Sequence, residues 1–221
     1  MLQRCERVSL RVTMLKLAFC LALLTLNNAY ADSYSSNSKR VVSIGGSVTE
    51  IVYALGEQNR LVARDSTSSD PVEATELPDV GYMRALSPEG VLSIGPGLII
   101  AEEGSGPRET IDLLNEASIP FITIPDTFSR EGIIAKVVAV GEALGVQTQA
   151  ARLSKKINAE LTAAEEKSRL YNGVRKKVLF ILSTRGGKIL ASGQNTAADS
   201  IIKMAGGINA ISEFSGYQAP Q

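Results

Sequence analysis

The stretch VQTQAARLSKKINAELTAAEEKSRLY, residues 146–171, decides the architecture of this 221-residue chain. Ala151, Leu153, Ile157, Leu161 and Ala164 recur there at helical spacing among Lys, Glu, Gln and Arg, with no Gly or Pro between them. About 25 residues at 1.5 Å each make a helix on the order of 37 Å long, about twice the average globular helix. On periodicity alone the pattern also fits a surface helix of one larger domain. What flanks it favours a strut, because an α/β lobe is legible before it and a second begins after Asn172-Gly173.

Upstream, from Arg40, short β-branched runs alternate with helical patterns, the signature of βαβ units and a parallel sheet. VVSI (41–44) is the first strand, Gly45-Gly46 its turn, and Ser47 to Glu50 is read as a capping box opening a helix that ends near Gly56. A second strand follows at 61–63, then a long loop with Pro71 and Pro78. Ser87-Pro88 supplies a capping hydroxyl and a first-turn proline, so a helix starts there. LIIA (98–101) and FITI (121–124) read as buried strands, with a helix from Pro107 to about Ala117 between them and one over 129–144, opened by Ser129, after them. The fold class is therefore α/β: a lobe over 40–145, a connecting helix over 146–172, and a second lobe over 173–221.

The second lobe reads VLFIL (178–182) as a strand, Gly186-Gly187-Lys188 as a hairpin turn, a short strand near Ile189-Leu190, and a helix from Thr196 to Ala205 closed by Gly206-Gly207. About 48 residues follow Gly173, against roughly 105 in the first lobe, and the closing SGYQAPQ carries no helix or strand pattern. Either the second lobe is reduced or the chain is truncated, and truncation is the favoured expectation because a lobe lacking its last strands leaves an exposed sheet edge.

At the other end, Arg4, Arg7, Arg11 and Lys16 precede an apolar run over 17–26, and Ala29-Tyr30-Ala31 makes a small-x-small cleavage site: a secretory signal peptide over 1–31. Ten apolar residues fall far short of the roughly 20 that span a bilayer. Met14 offers a more compact start than Met1, and Phe19 ahead of Cys20 does not fit a lipoprotein site. Cleavage removes both cysteines, Cys5 and Cys20, along with four basic residues and one acidic one, leaving 19 basic against 22 acidic. That balance gives no footprint for nucleic acid. Residues 32–39, DSYSSNSK, form a polar lead-in.

Tyr82 stands in a short non-periodic segment, DVGYMRALSP, that ends on the rigid helix start at Ser87. Such a loop can hold a side chain out into a cleft, and Tyr82 is read as a metal ligand. Other motifs are weak. Gly45-Gly46 with Asp65 about twenty residues on resembles a dinucleotide turn but lacks G-x-G-x-x-G. The chain has no histidine, so a Ser-His-Asp triad is excluded and catalysis is not expected.

Three segments carry a family resemblance: RVVSIGGSVTEIVYALG (40–56), LPDVGYMRALSPEGVLSIGPGLII (77–100) and SGQNTAADSIIKMAGGINA (192–210). Together, in this order, they resemble the haem-binding periplasmic proteins of bacterial ABC importers, relatives of cobalamin- and ferric-siderophore-binding proteins. GYMRALSPEG is the haem-type feature. The resemblance implies two α/β lobes joined by one long helix, haem carried as a transported ligand in the cleft, and delivery to an importer permease. It implies Tyr82 as the haem-iron ligand, supported by Arg84, and Glu89 as a docking carboxylate for the permease. With no histidine, and no cysteine after cleavage, an axial ligand must be Tyr or Met, which agrees. A guanidinium such as Arg84 favours an ionised phenol. Arg185 and Tyr217 are the candidate cleft residues of the second lobe. The expectation is a non-enzymatic periplasmic haem carrier that meets the membrane only through its importer. The alternatives are the same fold carrying cobalamin or a ferric siderophore, and an exported nucleotide-binding oxidoreductase-like protein.

Overall fold

The structure, a computed structural model, describes residues 40–219. The expected signal peptide, the alternative start at Met14, both cysteines and the polar lead-in lie outside the described residues. Four strands, β1 (Val41–Ile44), β2 (Leu61–Arg64), β3 (Leu98–Glu102) and β4 (Phe121–Ile124), form one parallel sheet in the order β2-β1-β3-β4. Their carboxyl ends share one edge. The central strands read as continuous apolar runs because both faces of the sheet are covered. Val41, Val42, Ile44, Ile99 and Ile100 are fully buried.

One face packs against α1 (Gly46–Ala54), α4 (Arg130–Leu144) and α5 (Gln147–Arg169) through Val48, Val52, Val137 and Val140. The other packs against α2 (Pro88–Leu92) and α3 (Arg108–Glu116), together with Val80, Met83 and Leu86 from the loop ahead of α2. The hydroxyls at two helix starts behave as the sequence implies: Ser87 Oγ accepts from Gly90 N at 2.9 Å and Ser129 Oγ from Gly132 N at 3.0 Å. β4 is an edge strand in which only Ile124 is fully covered, so it is less buried than its apolar sequence suggests.

The capping box at Ser47–Glu50 does not form. α1 begins at Gly46, and its free N–H groups are taken by the loop after β2: Gly45 N donates to Asp65 Oδ1 (2.9 Å) and Gly46 N to Thr67 Oγ1 (3.1 Å). Ser47 Oγ donates to Glu102 instead. Gly45 adopts φ 104°, and a Cβ there would lie 2.6 Å from that of Glu102, so only glycine allows β1 and β3 to end this close together.

α5 runs for 23 residues and ends at Arg169, three residues before Asn172-Gly173. Its first half lies against α4, where a Cβ on Gly141 would meet that of Ala150 at 2.2 Å. Beyond it come two small sheets. β5 (Lys177–Val178) pairs in parallel with β8 (Ile208–Asn209), while β6 (Ile181–Ser183), β7 (Leu190–Ser192) and β9 (Tyr217–Gln218) form an antiparallel sheet beside α6 (Ala197–Met204).

VLFIL is thus two strands rather than one. Val178 O accepts from Ala210 N, whereas Phe180 O accepts from Ser192 N, which transfers the chain from one sheet to the other. The closing segment does contain a strand, β9, held to the turn ahead of α6 by reciprocal bonds between Gln194 and residues 214–216. Two residues are too few to show periodicity. The hairpin turn at Arg185–Gly187 is present, with Gly186 and Gly187 at positive φ.

Candidate functional site: a ligand loop at the carboxyl edge of the sheet

The loops leaving β1 and β2 are fastened by Asp65, which is fully buried. Its carboxylate accepts from Gly45 N, Thr67 N (3.0 Å), Thr67 Oγ1 (2.7 Å) and Ser68 Oγ (2.7 Å). Thr49 Oγ1 extends the network to Ser43 and Ser68, each at 2.7 Å. Asp65 is a structural hub with both oxygens used internally. It is not free to hold a ribose, so the dinucleotide reading of Gly45-Gly46 fails on geometry.

This frame carries the segment before α2. Arg64 N donates to Pro78 O and Val80 N to Arg64 O, so residues 78–80 run alongside the end of β2 through a single parallel bridge at Asp79. The Asp79 carboxylate then holds the turn, one oxygen accepting from Gly81 N at 2.8 Å and the other from Arg64 Nη1 at 2.8 Å. Gly81 O is bound by Ser66 N (2.9 Å), and on the far side Met83 O is bound by Gly106 N (2.8 Å), from the loop after β3. Tyr82 therefore lies between two clamped carbonyls at the carboxyl end of the sheet, where open α/β sheets bind ligands. The residue is 48% exposed although its neighbours Val80, Met83 and Leu86 are buried, and its hydroxyl makes no hydrogen bond among the described residues.

The other expected site residues are more scattered. Arg84 is exposed two residues on, and no hydrogen bond joins it to Tyr82. Glu89 is exposed in the first turn of α2. Arg185 is exposed at the β6–β7 turn, and Tyr217 on β9 packs its ring against Phe180, centroids 6.4 Å apart. No hydrogen bond, ion pair or ring contact brings either to Tyr82 among the described residues.

A second feature was not anticipated. A cavity of about 780 Å³ opens between α1, α4, α5 and α6. Lys136, almost fully buried on its wall, reaches Asp126 Oδ1 at 2.5 Å, Ser47 Oγ at 2.9 Å and Glu102 Oε2 at 3.6 Å. Burial raises the pKa of Glu50, and the charges of Asp70 and Glu102 add to this against the opposing Lys136. A lysine inside the apolar run IIAKVVAV (133–140) was the available signal. Among the described residues there is no cluster of three or more His, Cys, Asp or Glu able to hold a metal ion, and no helix long and apolar enough to cross a membrane.

Residues 41–220 match the family model described as "Periplasmic binding protein". The substrate-binding lipoprotein YvrC of an uncharacterized ABC transporter of Bacillus subtilis is 28% identical over 81% of this chain and 57% of its own length. A vitamin B12-binding protein of Vibrio campbellii is 26% identical over 90% of this chain and 70% of its own. Among solved structures, the periplasmic heme-binding protein RhuT of Roseiflexus sp. RS-1 in its apo form superposes with a TM-score of 0.79 at 35% identity, covering 82% of this chain and 70% of RhuT. The chain thus spans between about half and two thirds of the length of these relatives, or slightly more.

Proposed function

This chain belongs to the periplasmic binding protein family, and from that premise we propose that it is a non-enzymatic periplasmic carrier that captures haem through Tyr82 and passes it to a membrane ABC importer. The observation that carries the reading is the Tyr82 loop. A half-exposed phenol with no hydrogen-bond partner among the described residues stands on a backbone clamped from both sides, at the sheet edge where a ligand would lie. The 35% identity to a haem-binding protein supports haem over other ligands of the fold.

The chemistry is consistent. The chain has no histidine, the described residues contain no cysteine, and a phenolate is a hard oxygen donor suited to ferric iron. A clamped loop meets its ligand without first being ordered, which lowers the entropic cost of capture. Arg84 is assigned to supporting the bound ligand beside Tyr82, Arg185 and Tyr217 to the facing wall, and Glu89 to docking on the permease.

The test is a titration with hemin and, separately, cyanocobalamin. The reading expects a Soret shift and saturable binding for hemin and none for cyanocobalamin. The 26% identity to a vitamin B12-binding protein favours cobalamin as the second reading, and the reverse result would establish it.

A further inference from the structure

The hydroxyl of Tyr82 makes no hydrogen bond among the described residues, so the backbone beneath the ring has to aim it. Ahead of Tyr82, Asp79 fixes that backbone at Gly81. After Tyr82 the chain turns, Ala85 N donating to Tyr82 O at 2.7 Å, and enters Leu86. Leu86 N donates to Gly106 O (2.9 Å) and Gly106 N donates to Met83 O (2.8 Å), so the turn sits astride one residue of the loop after β3.

One further bond on this side comes from a side chain. Thr110 Oγ1, in the first turn of α3, donates to Leu86 O at 3.1 Å, and that carbonyl has no other donor among the described residues. Both residues are buried, Thr110 at 5% exposure and Leu86 at 4%. Thr110 and Leu114 are the buried residues of α3, four apart and therefore on one face, and Leu114 packs into the core on the α2/α3 side of the sheet. Valine would fill the same space there without a polar group to satisfy. The hydroxyl is accounted for by Leu86 O. The turn of helix that carries it is itself fixed, since Pro107 O accepts from Thr110 N (3.1 Å) and Ile111 N (3.2 Å).

Resting on the haem reading, we propose that Thr110 is a positioning residue for Tyr82: its buried hydroxyl ties the end of the ligand loop to α3 and so holds the turn that aims the phenol at the iron. It acts through Leu86, without touching the ligand.

The experiment compares wild type, Thr110→Val, Thr110→Ser and Val140→Ala by hemin titration and by amide hydrogen exchange without ligand. Thr110→Val is nearly isosteric and should weaken hemin binding about three- to fivefold, the upper figure being the whole worth of one hydrogen bond felt as loop population. Its phenolate charge-transfer band should persist, because Tyr82 is intact. Exchange at Ala85 N and Leu86 N should quicken by a similar factor. Thr110→Ser keeps the hydroxyl and should restore most of the affinity and the slow exchange. Val140→Ala opens a cavity in the core on the opposite face of the sheet and should lower stability while leaving hemin affinity and loop exchange as they are. Undiminished affinity or unchanged loop exchange in folded Thr110→Val, a serine variant as weak as the valine one, or a loss in Val140→Ala as large as in Thr110→Val would overturn the proposal alone. Absence of hemin binding by the wild type would overturn the haem reading and the proposal with it.

Discussion

Replacing Asp79 by alanine should weaken hemin binding without touching the ligand loop's own tyrosine. The structure fixes what is lost. One carboxylate oxygen holds Gly81 N at 2.8 Å and the other holds Arg64 at 2.8 Å, with the arginine side chain 12% exposed and the aspartate 41%. The bond to Gly81 is worth about 1 kcal/mol net. The half-exposed ion pair adds about 0.5–1 kcal/mol. Together these bias the clamped loop by about 1.5–2 kcal/mol, so its loss lowers the population of the binding-ready loop, and with it the apparent hemin affinity, by at most about 13- to 30-fold.

Asp79→Asn keeps an oxygen for Gly81 N and loses only the charge facing Arg64, so it should fall about threefold. The buried Val80, Met83 and Leu86 remain in place in both variants, and unfolding free energy should fall by no more than about 2 kcal/mol. Hemin titration read at the Soret band, with urea unfolding alongside, separates the two effects. Wild-type hemin affinity in Asp79→Ala, or an asparagine variant as weak as the alanine one, would refute the claim that this carboxylate sets the loop.

Asp199 is almost fully buried and accepts from Asn195 N (3.1 Å), Lys203 Nζ (2.7 Å) and Asn209 Nδ2 (3.1 Å), so Asp199→Ala should cost about 3 kcal/mol in urea unfolding. Burial pushes its pKa up, but these donors, Lys203 foremost, hold it below the usual 3.8; the stabilisation is present above pH 3.8 and lost as pH falls through the depressed value, so wild type and variant should converge in acid. Glu89→Gln should leave hemin affinity intact and reduce transport in vesicles reconstituted with the permease; unchanged transport would leave Glu89 only as a helix-start charge, worth about 0.3–1 kcal/mol. Arg84→Ala should weaken hemin binding less than Tyr82→Phe does, and an equal loss in the two would make Arg84 more than a support.

The sequence made the first lobe legible because its local signals agree with one another. Buried strands are continuous apolar runs, Ser87 and Ser129 cap the helices they precede, and Gly145 at φ 73° ends α4 where the long helix begins. It misled at Ser47–Glu50, where a motif that satisfies itself locally lost to acceptors brought from residues 65 and 67 by the neighbouring strand. It misled again at VLFIL and at the closing strand, where two-residue pairings depend on partners distant in sequence and leave no periodicity. At the ligand loop, Tyr82 was visible as a residue type in a non-periodic segment. The clamp was not, because Asp79, Arg64, Ser66 and Gly106 meet only once three strands lie side by side. The cavity was invisible for the same reason, since its walls come from residues 47 to 204.

The most direct test of the account is the absorption spectrum of hemin added to wild type and to Tyr82→Phe, a substitution that removes one hydroxyl from a half-exposed residue whose hydroxyl makes no hydrogen bond among the described residues. The account predicts a saturable high-spin ferric spectrum with a phenolate charge-transfer band in the wild type, and loss of that band in the variant with its fold unchanged. The same spectrum and affinity in both proteins would contradict it.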